Sequence, residues 1–131
     1  MAYGSLLLTS GRASRLLKAM GNARRLVILC HLSEREHSVG ELCSLVGLSQ
    51  SALSQHLARL RRDNLVKTRR AAQTVYYSLA SPEVGPLLQT LSEVAAAPTT
   101  FRPQAGLDTS AGKAADVDSA ARHALRHRSV D

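Results

Sequence analysis

The chain reads as a mainly α-helical domain with a small β-hairpin: a winged helix-turn-helix, and a dimeric one. Three observations predict this. Two amphipathic helical patterns meet across the very short break "VGLSQ" at Val46 to Gln50. The second, "SQSALSQHLARLRR", carries leucines on one side and short polar residues on the other. After Asn64 the apolar period then changes from about 3.6 to 2.

The elements follow in order. A first helix is expected around Gly11 to Met20, with Leu16, Leu17 and Met20 on one side. A second starts near Ala23 with Asn22 as its N-cap and an inward stripe of Leu26, Leu29 and Cys30. Ser38 and Glu41 have the S-x-x-E spacing of a capping box, which satisfies two otherwise unpaired backbone donors. They open a third helix with Val39, Leu42, Cys43 and Val46 on one face. Gly47 stops that helix and Ser49 caps the next. "LVKTRR" and "TVYYSLA", rich in β-branched and aromatic residues, flank "AAQ" as a hairpin. Ser81 and Pro82 open a last helix with Leu87, Leu88, Leu91 and Val94 as its apolar side. Pro86 weakens its first turn unless the helix restarts there with Gly85 as cap.

At 131 residues there is room for one core. Residues 1–95 hold the periodic signal and form the folded domain; 96–131, rich in Ala, Ser, Thr, Gly and Pro, read as a disordered tail. The formal charge of +7 calls for a polyanionic partner. It resides in the folded part, with 12 basic against 6 acidic residues, while the tail has 5 against 4. Aromatic residues make up only 3%, which disfavours stacking on single strands and points to duplex DNA. The longest unbroken apolar stretch, Leu26 to Cys30, is far below the ~20 residues of a spanning helix. "MAYGSLLLTSGR" lacks the basic start of a secretory signal. A cytoplasmic location without a membrane partner is expected.

In the helix from Gln50, Leu53, Leu57 and Leu60 form the docking stripe. The outer face begins with Gln50, Ser51, Ser54 and Gln55, uncharged donors and acceptors short enough to approach base edges. From Arg59 to Thr74 the chain holds Arg59, Arg61, Arg62, Lys67, Arg69 and Arg70 against Asp63 alone, a basic run suited to flanking phosphates. Each feature alone fits an ordinary amphipathic helix or a solvated hairpin. Their order is that of a winged helix-turn-helix.

"LSQSALSQHLARLRRDNLV" followed by "TRRAAQTVYYSLASPEV" resembles the ArsR/SmtB winged-helix repressors, within them the branch of NolR, BigR and SqrR, from about Ala13 to Val94. The resemblance implies a homodimer, built through its first and last helices, that represses transcription by occupying promoter DNA. By it, Gln50, Ser51, Ser54 and Gln55 read bases, and Arg69, Arg70, Gln73 and Thr74 belong to the wing. Independently, Leu16, Leu17 and Met20 with Leu87, Leu88 and Leu91 offer more apolar surface than so small a core readily covers. These six are the expected dimer interface.

No cofactor or metal is expected. Where arsenic-sensing relatives carry a Cys-x-Cys-x-x-Cys cluster, the matching positions are Ser38, Gly40 and Cys43, and one thiolate cannot build that site. The final helix has Glu83 and Glu93 but no histidine. His31 and His37 are expected in solvent and His56 packed beside the leucine stripe; His123 and His127, four apart in the tail, could share a helical face. Cys30 resembles the first cysteine of the BigR and SqrR thiol switch, but the final helix has no second one. Cys30 and Cys43 therefore read as small buried hydrophobes, with a Cys30–Cys43 thiol sensor as the alternative. An enzyme lacks a constellation: there is no phosphate loop, paired carboxylates or nucleophile with a partnered histidine. A winged helix used for protein contacts is the remaining rival.

Overall fold

The computed structural model describes residues 2–98. Helices α1 (Gly4–Met20), α2 (Ala23–Glu34), α3 (Val39–Val46), α4 (Gln50–Arg62) and α5 (Val84–Ala96) surround a small sheet of β1 (His37–Ser38), β2 (Val66–Ala71) and β3 (Thr74–Leu79). His123 and His127, with most of the 96–131 segment, lie outside the described residues.

Local chemistry sets each boundary. The Asn22 side chain accepts from the Arg25 backbone N–H at 3.1 Å and starts α2. At α3 the capping box is complete: Ser38 Oγ accepts from the Glu41 N–H at 3.2 Å, and Glu41 Oε1 accepts from the Ser38 N–H at 3.5 Å. Gly47 ends α3 in the left-handed region at φ 72°, where a Cβ would be strained, and its N–H bonds the Cys43 carbonyl at 2.9 Å. Ser49 Oγ then accepts from the Ala52 N–H at 3.2 Å and starts α4. These residues make the turn between the two helices.

The core lies where α2, α3 and α4 meet. Ile28, Leu29, Leu42, Val46, Leu53, Leu57, Leu60 and Val84 are fully buried, each such side chain contributing about 1.5–3 kcal/mol over the exposed state. The sheet order is β1-β3-β2, antiparallel throughout. Ala71 pairs with Thr74 across a two-residue loop, tighter than the expected "AAQ", in which Ala72 takes φ 55°.

Several expectations are corrected. Helix α1 begins at Gly4 rather than Gly11, and non-helical angles at Thr9 bend it. Strand β1 was not expected. Pro86 sits at the third position of α5, whose N–H has no intrahelical acceptor in any helix, so the helix runs from Val84 without a restart. Met20 is buried in the monomer's core and is unavailable to a partner. His31 and His37 are buried, not solvated, because the former faces the core from α2 and the latter the inner side of the sheet. Their rings meet edge to face at 6.1 Å. Cys30 is exposed: the buried stripe of α2 is Ile28, Leu29 and Leu32, rotated from the expected one.

Candidate DNA-binding surface

Helix α4 divides as its sequence predicts. Leu53, Leu57 and Leu60 are buried, whereas Gln50, Ser51, Ser54 and Gln55 are exposed. Ser51 Oγ lies 3.4 Å from the capping Ser49 Oγ. Gln50, Ser54 and Gln55 have no side-chain partner among the described residues. Unpartnered short polar groups on a rigid helix can exchange water for base edges without first breaking protein contacts. His56 is partly buried between the two faces, and burial together with Arg25 and Arg24 lowers its pKa.

The wing stands beside the start of this helix. Gln50, Gln73, Thr74 and Val75 line one groove together with Ser38 and Gly40 from the start of α3. Three expected site residues from two distant segments are thereby brought together. Arg62 is not among them. It lies at the opposite end of α4, about 18 Å of helix rise away, in a cleft with Arg12, Arg15, Asp63 and Glu83.

The basic run is not uniformly free. Arg59 Nε donates to Asp63 Oδ2 at 2.9 Å within α4. Arg69 donates to both carboxylate oxygens of Glu36, at 2.6 Å to Oε1 and 3.2 Å to Oε2. That bond holds the Glu36 carboxyl below the ordinary carboxylate range and raises the Arg69 guanidinium. Arg61, Arg62 and Arg70 are exposed and form no ion pair with a carboxylate among the described residues, whereas exposed Lys67 lies within electrostatic reach of Glu36 and helps lower its carboxyl pKa. The three arginines are the unpaired cations of the basic run. Sequence reasoning counted Arg69 among them and missed Glu36, because the pair spans 33 residues.

Around β1, Glu41 accepts from Arg35 at 2.9 Å and contacts His37 Nδ1 at 3.1 Å. The His37 bond, then Arg35 and the Ser38 N–H, pull the Glu41 carboxyl down to about 2 against the opposing effect of burial. His37 Nε2 is buried without a hydrogen-bond partner among the described residues.

On α1 and α5, Leu17 is 61% and Leu91 42% exposed. Leu16, Leu87 and Leu88 are half-buried against the core. Cys30 and Cys43 are both free thiols, on α2 and α3. Partial burial, then Glu34, raises the Cys30 thiol pKa. Among the described residues no group of three or more His, Cys, Asp or Glu side chains is placed to hold a metal ion. No described helix is long and apolar enough to cross a membrane.

The comparisons with known proteins agree with this architecture. Residues 13–68 match the family described as "Bacterial regulatory protein, arsR family". The transcriptional activator HlyU of Vibrio cholerae is 62% identical over 82 residues, spanning 63% of this chain and 76% of HlyU. The solved structure of reduced HlyU matches with a TM-score of 0.65 over 71% of this chain and 98% of that one. The nodulation protein NolR of Rhizobium meliloti is 55% identical, over 63% of this chain and 67% of NolR. The structure of the repressor BigR from Xylella fastidiosa superimposes with a TM-score of 0.71 at 33% identity, over 75% of this chain and all of that one. The likeness expected to centre on NolR, BigR and SqrR thus reaches a higher identity with HlyU. With a helix-turn-helix, a wing and relatives of this identity over most of their length, the chain belongs to the arsR family of DNA-binding transcriptional regulators.

Proposed function

We propose that the chain is a homodimeric, sequence-specific regulator that occupies operator DNA without a metal site. Gln50, Ser51, Ser54 and Gln55 read base edges in the major groove, and Arg62, Arg70, Gln73 and Thr74 contact the flanking backbone. The observation that carries this reading is the groove shared by Gln50, Gln73 and Thr74, which adjoins the uncharged exposed face of α4. A duplex backbone between helix and wing would meet both at once.

Homodimerisation is supported by the apolar side chains that α1 and α5 leave exposed, Leu17 and Leu91 among them. A two-fold dimer would set two α4 helices about one DNA turn, ~34 Å, apart. We assign repression as the outcome, through occupation of promoter DNA. The names of the relatives include an activator and a repressor, and the sign of regulation depends on where the operator lies relative to the promoter.

A thiol switch is the weaker reading. Cys30 is accessible, but its raised pKa leaves it less of the thiolate that reacts.

The experiment is a mobility shift of the purified protein on DNA from its own upstream region, at several salt concentrations, with and without a persulfide donor. Sequence-specific retardation insensitive to the donor is expected. Loss of retardation with the donor would restore the Cys30–Cys43 sensor, and no specific binding would favour a protein-contact module.

A further inference from the structure

The outer face of the sheet carries an assembly that DNA reading by itself does not require. In the antiparallel register Arg69 stands opposite Tyr76, and Tyr76 opposite Ser38. Since successive residues of a strand point to opposite faces, Arg69 and Tyr76 share one face, and Thr68, Tyr77 and the buried His37 share the other. The Arg69 guanidinium lies over the Tyr76 ring, 4.6 Å from its centroid. From there it reaches across β3 to clasp the Glu36 carboxylate, donating from Nε and Nη2. Glu36 immediately precedes β1, and β1 runs directly into the capping box of α3.

The wing is tied to the rest of the chain through β3, which pairs with only two residues of β1, His37 and Ser38, while β2 is the outer strand. Here a forked ion pair joins β2 to the segment that caps α3, with an aromatic ring filling the space between. A planar guanidinium clasped by a carboxylate and stacked on a ring has little freedom left. Its charge is also neutralised, so it releases few counterions from a phosphate.

From this geometry we infer that Glu36 is a positioning residue of the DNA-binding surface: it engages Arg69 as a brace that fixes the wing against the start of α3 and keeps that cation off the DNA backbone. The inference rests on the proposed DNA-binding function and goes beyond it, since Arg69, which the sequence alone placed among the phosphate contacts, becomes a strut. The backbone contacts of the wing fall to Arg70, Gln73 and Thr74. Glu36 then affects specificity through restraint. With the brace intact, the wing engages only where the recognition helix is in register; without it, a mobile wing and an additional free cation attach to any duplex.

The test compares full-length wild type, Glu36→Gln, Arg69→Ala and the double variant on an operator duplex and an unrelated duplex by fluorescence anisotropy over a salt series. Glu36→Gln is expected to bind the unrelated duplex several-fold tighter, with a slope of log K against log salt steeper by about 0.9, the value for one added phosphate contact. Arg69→Ala should leave that slope unchanged, and the double variant should lose the gain. A merely structural role for Glu36 would weaken binding without adding a counterion. If Arg69→Ala instead lowers the slope by about one contact while Glu36→Gln does nothing, Arg69 is a phosphate ligand and the brace is wrong.

A measurement without DNA separates the two readings. The Arg69 side-chain N–H resonance in nitrogen-15 NMR should be slow to exchange in wild type and fast in Glu36→Gln. Fast exchange in wild type would overturn the brace even if operator binding is normal. Slow exchange that Glu36→Gln abolishes would sustain the brace as structure even if wild type fails to select an operator, a failure that would belong to the proposed function.

Discussion

Gln50, in the first turn of α4, and Thr74, the first residue of β3, line the same groove although 24 positions apart in the chain. Gln50 stands on a helix held by buried leucines, and Thr74 on a hairpin tied back to β1. Both supports are rigid, so the pair can present a preformed surface to a duplex.

Gln50→Ala and Gln55→Ala should therefore relax sequence preference without changing the electrostatic part of binding. Each should cost ~1–3 kcal/mol on the preferred operator and much less on unrelated DNA. Competition across single-base operator variants, with the salt slope as internal control, checks this.

Arg62→Ala and Arg70→Ala should do the opposite. They should weaken binding to all sequences similarly and lower the salt slope by about one each. Equal slopes for wild type and variants would remove these residues from the phosphate surface.

Leu17→Glu and Leu91→Glu put charge on side chains that the monomer leaves exposed. The fold should survive, by circular dichroism, while sedimentation shows a shift from dimer to monomer. Met20→Ala should act differently, since Met20 belongs to the core: a loss of about 2–5 kcal/mol in stability is expected.

Glu41 predicts an acid response. Its carboxyl lies at about 2 in the fold, below the ~4.3 of an unperturbed glutamate. A depressed acid contributes stability that is full above the unfolded value and is lost as pH falls toward the folded one. Chemical denaturation between pH 5 and about 2 should show that loss, and Glu41→Gln should flatten it and cost about 1 kcal/mol at neutral pH by weakening the capping box. A variant with the same pH profile as wild type would refute the assignment.

The helix-turn-helix was legible because local chemistry writes it. Ser38 with Glu41, Gly47 and Ser49 each satisfy or terminate a helix end by bonds spanning at most four residues, and the leucine stripe of α4 has a clear period. Strand β1 was not legible: His37 and Ser38 are a strand only because Tyr77 and Tyr76 pair with them. The same pairing buries His37. The start of α1 was hidden by three consecutive leucines without a helical period, followed by the bend at Thr9. Cys30 was misplaced because a wheel drawn from Leu26, Leu29 and Cys30 is only a small rotation from the stripe that is buried, and packing decides between them. At the site, base-facing residues were readable from composition along one helix. Which arginines are free was not, because Glu36 and Arg69 are joined by the sheet and not by sequence spacing.

The central claim is that α4 and the wing of a two-fold dimer read an operator, and a hydroxyl-radical footprint on the upstream DNA tests it most directly. The account predicts two protected half-sites about one helical turn apart, both lost with Gln50→Ala combined with Gln55→Ala. A single protected site, or a two-fold footprint that the double substitution leaves intact, would contradict it.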